Sequence, residues 1–138
     1  MPMIDVYAPT GILPADADAA LGTELTHAVL RAEGHSSPGP LHLNNTAAFV
    51  HRMSTVTTAA EPSAAAVRVQ IITPPGALDR AAQRQLTHEA TEIVARIAGD
   101  ESLAKRTWVI LTEAAEGGWG VGGTALGKEE FAALAASR

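Results

Sequence analysis

The sequence predicts an α/β (α+β) fold: two tandem β-α-β units forming one four-stranded mixed sheet with two helices on one face. Three observations lead there. Shifting the chain by 65 residues lays its second half on its first, each half reads strand, turn, helix, strand, and each helix ends on a glycine. The shift matches Pro9 with Pro74, Gly11 with Gly76, Leu21 with Leu86, Glu24 with Glu89, Arg31 with Arg96 and Gly34 with Gly99. A repeat of that length marks a duplicated supersecondary unit.

The first unit covers residues 2–53. A strand is expected over Pro2–Ala8, followed by the turn Pro9-Thr10-Gly11. A helix over about Ala15–Glu33 carries an apolar stripe of Leu21, Leu25, Ala28 and Ala32. Gly34 ends it, because glycine takes the left-handed conformation that a helix C-terminus favours. A loop over His35–Leu41 leads to a second strand near Asn44–Met53. Residues 54–66, rich in Ser, Thr and Ala, read as a flexible connector.

The second unit, residues 67–113, repeats the plan. Val67–Thr73 is a strand, Pro74-Pro75-Gly76 a turn, and Arg80–Ala98 a helix with its stripe at Leu86, Ala90, Ile93 and Ile97, ended by Gly99. Thr107–Glu113 is the fourth strand. Residues 114–138 hold a glycine-rich hairpin, Gly117–Gly123, with Trp119 at its tip, and a short helix carrying Phe131 and Leu134. Right-handed crossovers put both long helices on one face of the sheet. Val67, Val69 and Ile71 then face the helices, while Met3, Asp5, Tyr7, Arg68, Gln70 and Ile72 face away. The continuous run Trp108-Val109-Ile110-Leu111 suits a strand covered on both sides. A second sheet should therefore cover the free face, and the chain is expected to be an oligomer.

Composition bounds the function. A chain of 138 residues that is 46% hydrophobic suits one domain with a modest core. The net charge of −5 and the scattered basic residues leave no electrostatic footprint for nucleic acid. Cysteine is absent, which removes disulfides and thiolate chemistry and suits a reducing cytoplasm. The N-terminus carries Asp5 and no basic region, unlike a signal peptide, and no apolar run reaches membrane-spanning length. A cytoplasmic location is expected.

The candidate chemistry lies at the N-terminus. Pro2 follows the initiator methionine, and its small side chain permits removal of Met1. The exposed secondary amine would sit on a rigid ring at the start of a strand. An α-amino group titrates near ~8, burial lowers that value, and a base poised near neutrality suits proton abstraction beside a carbonyl. The competing reading is a proline that merely begins a strand, where its missing N–H costs nothing. Trp119 is either a packing anchor or a pocket wall. Arg68 either holds a substrate carboxylate in a bidentate grip or pairs with Asp5 on the same sheet face. Gly118–Gly123 satisfies G-x-G-x-x-G, but no crossover helix or second strand follows it, so no dinucleotide site is expected. His27, His35, His42, His51 and His88 include no H-x-H or H-x₃-H pair and no accompanying carboxylate cluster. No metal is expected, and no cofactor.

Met1-Pro2 opening the first strand, the duplicated plan and the late hairpin with Gly118-Trp119 together resemble the tautomerase superfamily in its long, duplicated form. That superfamily contains oxalocrotonate tautomerase, macrophage migration inhibitory factor and malonate semialdehyde decarboxylase. The resemblance covers nearly the whole chain. It implies a tautomerase-like homotrimer whose three sheets form a central barrel, which would supply the cover the free face requires. It implies Pro2 as general base or acid in keto–enol tautomerisation of a small substrate, such as an enolisable keto acid. Other branches use that amine for hydration, dehalogenation or decarboxylation, and the same fold also serves binding or signalling proteins. It further implies that Trp119 stands near the pocket. Where the decarboxylase and dehalogenase branches carry arginines after the third strand, this chain has Pro74-Pro75-Gly76.

Overall fold

A computed structural model describes residues 1–137. Arg138, the last residue of the expected C-terminal segment, lies outside them. Four strands, β1 (Met3–Pro9), β2 (Ala47–Met53), β3 (Val67–Thr73) and β4 (Thr107–Glu113), form one sheet in the order β2-β1-β3-β4. β1 pairs with β2 and β3 with β4 in parallel, whereas β1 and β3 run antiparallel at the centre. Each parallel pair is joined through a long helix, α1 (Asp18–Ala32) or α3 (Arg80–Ala98).

Alternation along the strands sets the two faces. Ile4, Val6, Val67, Val69 and Ile71 are fully buried and pack with Leu21, Leu25 and Val29 of α1 and Leu86, Ala90 and Val94 of α3. The free face carries the expected Met3, Asp5, Tyr7, Arg68, Gln70 and Ile72, joined by Phe49, Trp108 and Ile110. The last three are 51%, 49% and 42% exposed, too apolar a surface for a protein that keeps it in water.

The duplication is visible at atomic detail. Gly11 and Gly76 both have positive φ, and the turn bonds Ile12 N to Pro9 O and Ala77 N to Pro74 O are both 3.3 Å. Gly34 and Gly99 also have positive φ and close the two helices in the same way. The Gly34 N–H donates to Arg31 O and the His35 N–H to Leu30 O, and Gly99 to Arg96 O and Asp100 to Ala95 O do the same one repeat later. This is the Schellman arrangement. Across the helix pair, Arg31 binds Glu89 and Arg96 binds Glu24, so two matched residue pairs form two reciprocal ion pairs. They are exposed, and such pairs orient more than they stabilise.

Several boundaries differ from the sequence reading. β1 begins at Met3, because Pro2 has no N–H to give the ladder; its carbonyl still accepts from Ala47 N at 3.3 Å. α1 begins at Asp18 rather than Ala15, since the turn bond from Ala17 N to Pro14 O occupies the preceding residues. α3 has a side-chain cap, Asp79 Oδ1 accepting from Ala82 N at 2.8 Å. A short helix, α2 (Pro40–Asn44), takes the end of the expected loop and reaches the first residue of the expected second strand, and β2 begins at Ala47 instead. Pro40 suits its first turn, and the side chains of Asn45 and Thr46 donate to the carbonyls of Leu41 and His42. Those bonds hold residues 44–46 out of β2. Residues 54–66 contain neither helix nor strand but are tied by Ala64 N to Val56 O and a reciprocal Thr58–Glu61 pair.

After β4 come the hairpin strands β5 (Trp119–Val121) and β6 (Thr124–Leu126) and then α4 (Lys128–Ala136). The hairpin tip is Gly122-Gly123, with φ of 58° and 83°, the pair of positive values that a two-residue turn of matching twist requires. Trp119 therefore begins β5 rather than standing at the tip. Gly118 before it is a close approach, because a Cβ there would lie 2.9 Å from Ala115 O.

Candidate active site

The antiparallel centre of the sheet decides what meets the N-terminus. Met3 lies opposite Ile72, and Ile72 opposite Thr112, so the end of β4 arrives beside the start of β1. The hairpin that follows β4 is thereby delivered to Met1 and Pro2. Each long helix runs back along its strand pair, which brings the end of α1 to the same place.

Met1 and Pro2 are buried. The Met1 side chain packs in a small apolar cluster with Trp119 and Leu126, surrounded by Met3, Leu41, Ile72, Ala114, Phe131 and Leu134. α4 closes over this cluster and is anchored at its start, where Glu130 accepts from Gly127 N and Glu116 from Lys128 N. An open groove of about 570 Å³ borders the cluster and shares Met3, Ile72, Ala114 and Trp119 with it. Asn45, Thr112 and Glu113 add polar atoms to its lining.

The Met1 amine lies 3.4 Å from Oε2 of Glu33, and the side chains of the two residues are 5% and 4% exposed. Oε1 of Glu33 is buried with no hydrogen-bond partner. Burial disfavours both charges. It pulls the amine below its ordinary value and pushes the Glu33 carboxyl above the usual carboxylate range, with their mutual attraction opposing each shift. The sequence reading did not single out Glu33. The signal was topological: a helix crossing between two parallel strands must end beside their starts, and Glu33 is the residue that follows α1.

The three residues singled out from the sequence are placed as follows. Pro2 is buried immediately before β1, and Trp119, 7% exposed, shares the apolar cluster of its neighbour Met1. Trp119 is thus both a packing anchor and a groove wall. Arg68 stands apart. It lies opposite Tyr7 on the free sheet face, with its guanidinium 4.4 Å from the Tyr7 ring centroid. Tyr7 is four residues beyond Met3, roughly 13 Å along the strand. The Asp5 partner is not Arg68 but His51, whose Nε2 is 2.7 Å from Asp5 Oδ1. His51 also stacks on Tyr7 at 4.4 Å. The row His51, Tyr7, Arg68, Trp108 therefore crosses all four strands of the free face.

No family model matches the sequence, and no curated protein matches it. Solved structures do match. The symmetric trimer of wild-type Q0 fused 4-OT is 23% identical, with 99% of each chain covered and a TM-score of 0.74. N1, a member of the cis-3-chloroacrylic acid dehalogenase family, is 14% identical over 99% of this chain and 92% of its own, at 0.73. A macrophage migration inhibitory factor-like protein from Entamoeba histolytica is 13% identical over 91% and 98%, at 0.71. All three are tautomerase superfamily members, and at these identities the likeness is one of fold. The chain has the tautomerase fold in its double-unit form.

Proposed function

We propose that this chain, with its tautomerase fold, is a tautomerase-type isomerase in which Pro2, freed of Met1, is the general base. The observation that carries the reading is the burial of the N-terminus against Trp119, beside an open groove at the start of β1. A secondary amine in that setting loses hydration, its pKa falls, and it stands neutral near pH 7. Pro2 then takes a proton from the carbon α to a carbonyl, breaking C–H as N–H forms, and returns it at a conjugated position. Trp119 keeps water from the amine. The chemistry is proton transfer and needs no cofactor. The substrate is a small enolisable carbonyl compound.

Three copies close their free sheet faces on one another in the proposed assembly, burying Phe49, Trp108 and Ile110, with Arg68 in that interface rather than in the pocket. The fused 4-OT neighbour is a trimer, which supports this arrangement, and a cytoplasmic location completes the proposal. A second reading is favoured by one observation: Met1 itself packs into the apolar cluster beside the groove. A protein that keeps Met1 is a silent binding or scaffold protein. Intact-mass measurement of the purified chain, combined with α-proton exchange assays on wild type and Pro2→Ala, separates the two. Loss of the Met1 mass and a drop in turnover for the variant support the base. A retained Met1 and no turnover support the scaffold.

A further inference from the structure

The first residues of a folded chain are normally mobile, but Met1 is docked at both of its ends. Its side chain is buried in a cluster with Trp119 and Leu126. Its amine lies 3.4 Å from Glu33 Oε2, on a side chain that is itself buried. Beyond the Met1–Pro2 peptide bond, Pro2 is buried and its carbonyl accepts from Ala47 N at 3.3 Å, and β1 begins at the next residue. The groups that meet here come from distant parts of the chain. Glu33 follows α1, Leu41 belongs to α2, Trp119 and Leu126 to the hairpin and Phe131 to α4. The helix that carries Leu41 is itself tied down, because its next residue, His42, is buried and stacks on His35 with 3.9 Å between ring centroids. The dock therefore exists only once the sheet, hairpin and α4 are in place.

We propose that Met1 is a plug that the fold locks: the folded chain shields its own N-terminus from aminopeptidase, so Met1 is removed before folding or not at all. Removal is hydrolysis. One water adds across the Met1–Pro2 bond, completing the carboxyl of the released methionine and the secondary amine of Pro2. A peptidase that cuts there must hold the terminal amine, the Met1 side chain and the scissile carbonyl together. In the folded chain the first two are taken by Glu33 and by the cluster, so cleavage waits for a local opening of the N-terminus. Each molecule is thus committed at synthesis to one of two forms, and the rate of processing against the rate of folding sets their proportions. Packing of further copies on the free face adds cover to this dock and removes none. That the Met1-free form is the active one rests on the reading of Pro2 as the base, whereas the lock rests on burial alone.

The experiment uses full-length protein that retains Met1, made in cells whose methionine aminopeptidase is inhibited. Purified methionine aminopeptidase is added to the folded protein and to a synthetic peptide of residues 1–12, and loss of Met1 is followed by intact mass. The folded protein is expected to be trimmed on the order of a hundredfold more slowly than the peptide, from side-chain burial and one hydrogen bond. Leu126→Ala removes a wall of the dock and should speed trimming at least about tenfold, with the milder Leu126→Val moving the same way. Asp79→Ala weakens the α3 cap far from the dock and should leave the rate within about twofold, because a local opening does not pass through global unfolding. Trimming of the folded protein at the peptide's rate, or a rate unmoved by both Leu126 variants, overturns the lock. So does a rise with Asp79→Ala in step with its loss of stability. Mass reads the N-terminus alone, so the two readings fail separately. A shielded Met1 with no turnover by Met1-free protein supports the lock and removes Pro2 as base instead.

Discussion

The carboxyl of Glu33 meets the amine of Met1 at 3.4 Å across 32 residues of chain. The contact follows from the crossover: α1 leaves the end of β1, runs back along the sheet and ends where the chain began. Both partners are held away from water, so the pair reports on pH. Glu33 is raised above its unfolded value, and a raised carboxyl contributes stability that is full below the ordinary carboxylate range and lost as pH rises through its folded value. The amine is lowered, so its contribution is present above pH ~8 and lost as pH falls through its folded value.

Replacing Glu33 with Gln removes the first dependence. In protein that retains Met1, the variant should gain on wild type as pH rises from about 4 to 7. Thermal melts across that range provide the check, and parallel curves for the two proteins would remove the buried carboxyl as their cause.

Trp119 joins the hairpin to the N-terminus. Trp119→Ala should destabilise by about 3 kcal/mol, at the lower end for a buried tryptophan, and should lower turnover at least about tenfold. Gly118→Ala tests the same wall without removing the ring. Its Cβ would strike Ala115 O, so the hairpin must shift, and turnover should fall with a smaller loss of melting temperature. Turnover unchanged in both variants would leave Trp119 with a packing role alone.

Phe49 and Trp108 lie on opposite edge strands of the free face. Light scattering of the wild type should give the mass of three chains at micromolar concentration. A charge placed in such an interface opposes burial, so Trp108→Glu should weaken association by at least about 2 kcal/mol and yield monomer. A stable wild-type monomer would defeat the trimer.

Asp79→Ala offers a control away from the site. Loss of its hydrogen bond to Ala82 N should cost about 1 kcal/mol and leave turnover per folded molecule unchanged. Denaturation midpoints and exchange rates measured on one preparation decide both halves.

How much of this was legible in the sequence depended on the range of the interaction. Periodicity and the 65-residue shift located the strands and helices, because burial against the sheet forces Leu21, Leu25, Leu86 and Ile93 onto one stripe. The glycines at 11, 34, 76 and 99 were legible because only positive φ makes those turns. α2 was hidden: it is stabilised by the side chains of Asn45 and Thr46, a local competition between hydrogen bonds that an apolar pattern does not record. The position of Trp119 at the foot of the hairpin was missed because two adjacent glycines, at 122 and 123, form the tip, while Gly118 serves a close contact. Glu33 and the pairing of Asp5 with His51 depended on strand register, which no single stretch of sequence contains.

The central claim concerns the amine of Pro2, and the most direct measurement compares two N-termini of one protein. Met1-free enzyme and a form that keeps one residue before Pro2 are assayed side by side, as verified trimers of matched melting temperature. The assay follows α-proton exchange of phenylacetone and ketonisation of phenylpyruvate and 2-hydroxymuconate. An amide nitrogen cannot act as the base, and a positioned base is worth about 10²–10⁴-fold. The blocked form should therefore lose nearly all activity on every substrate that the free form turns over. Equal turnover by the blocked and free forms would contradict the account.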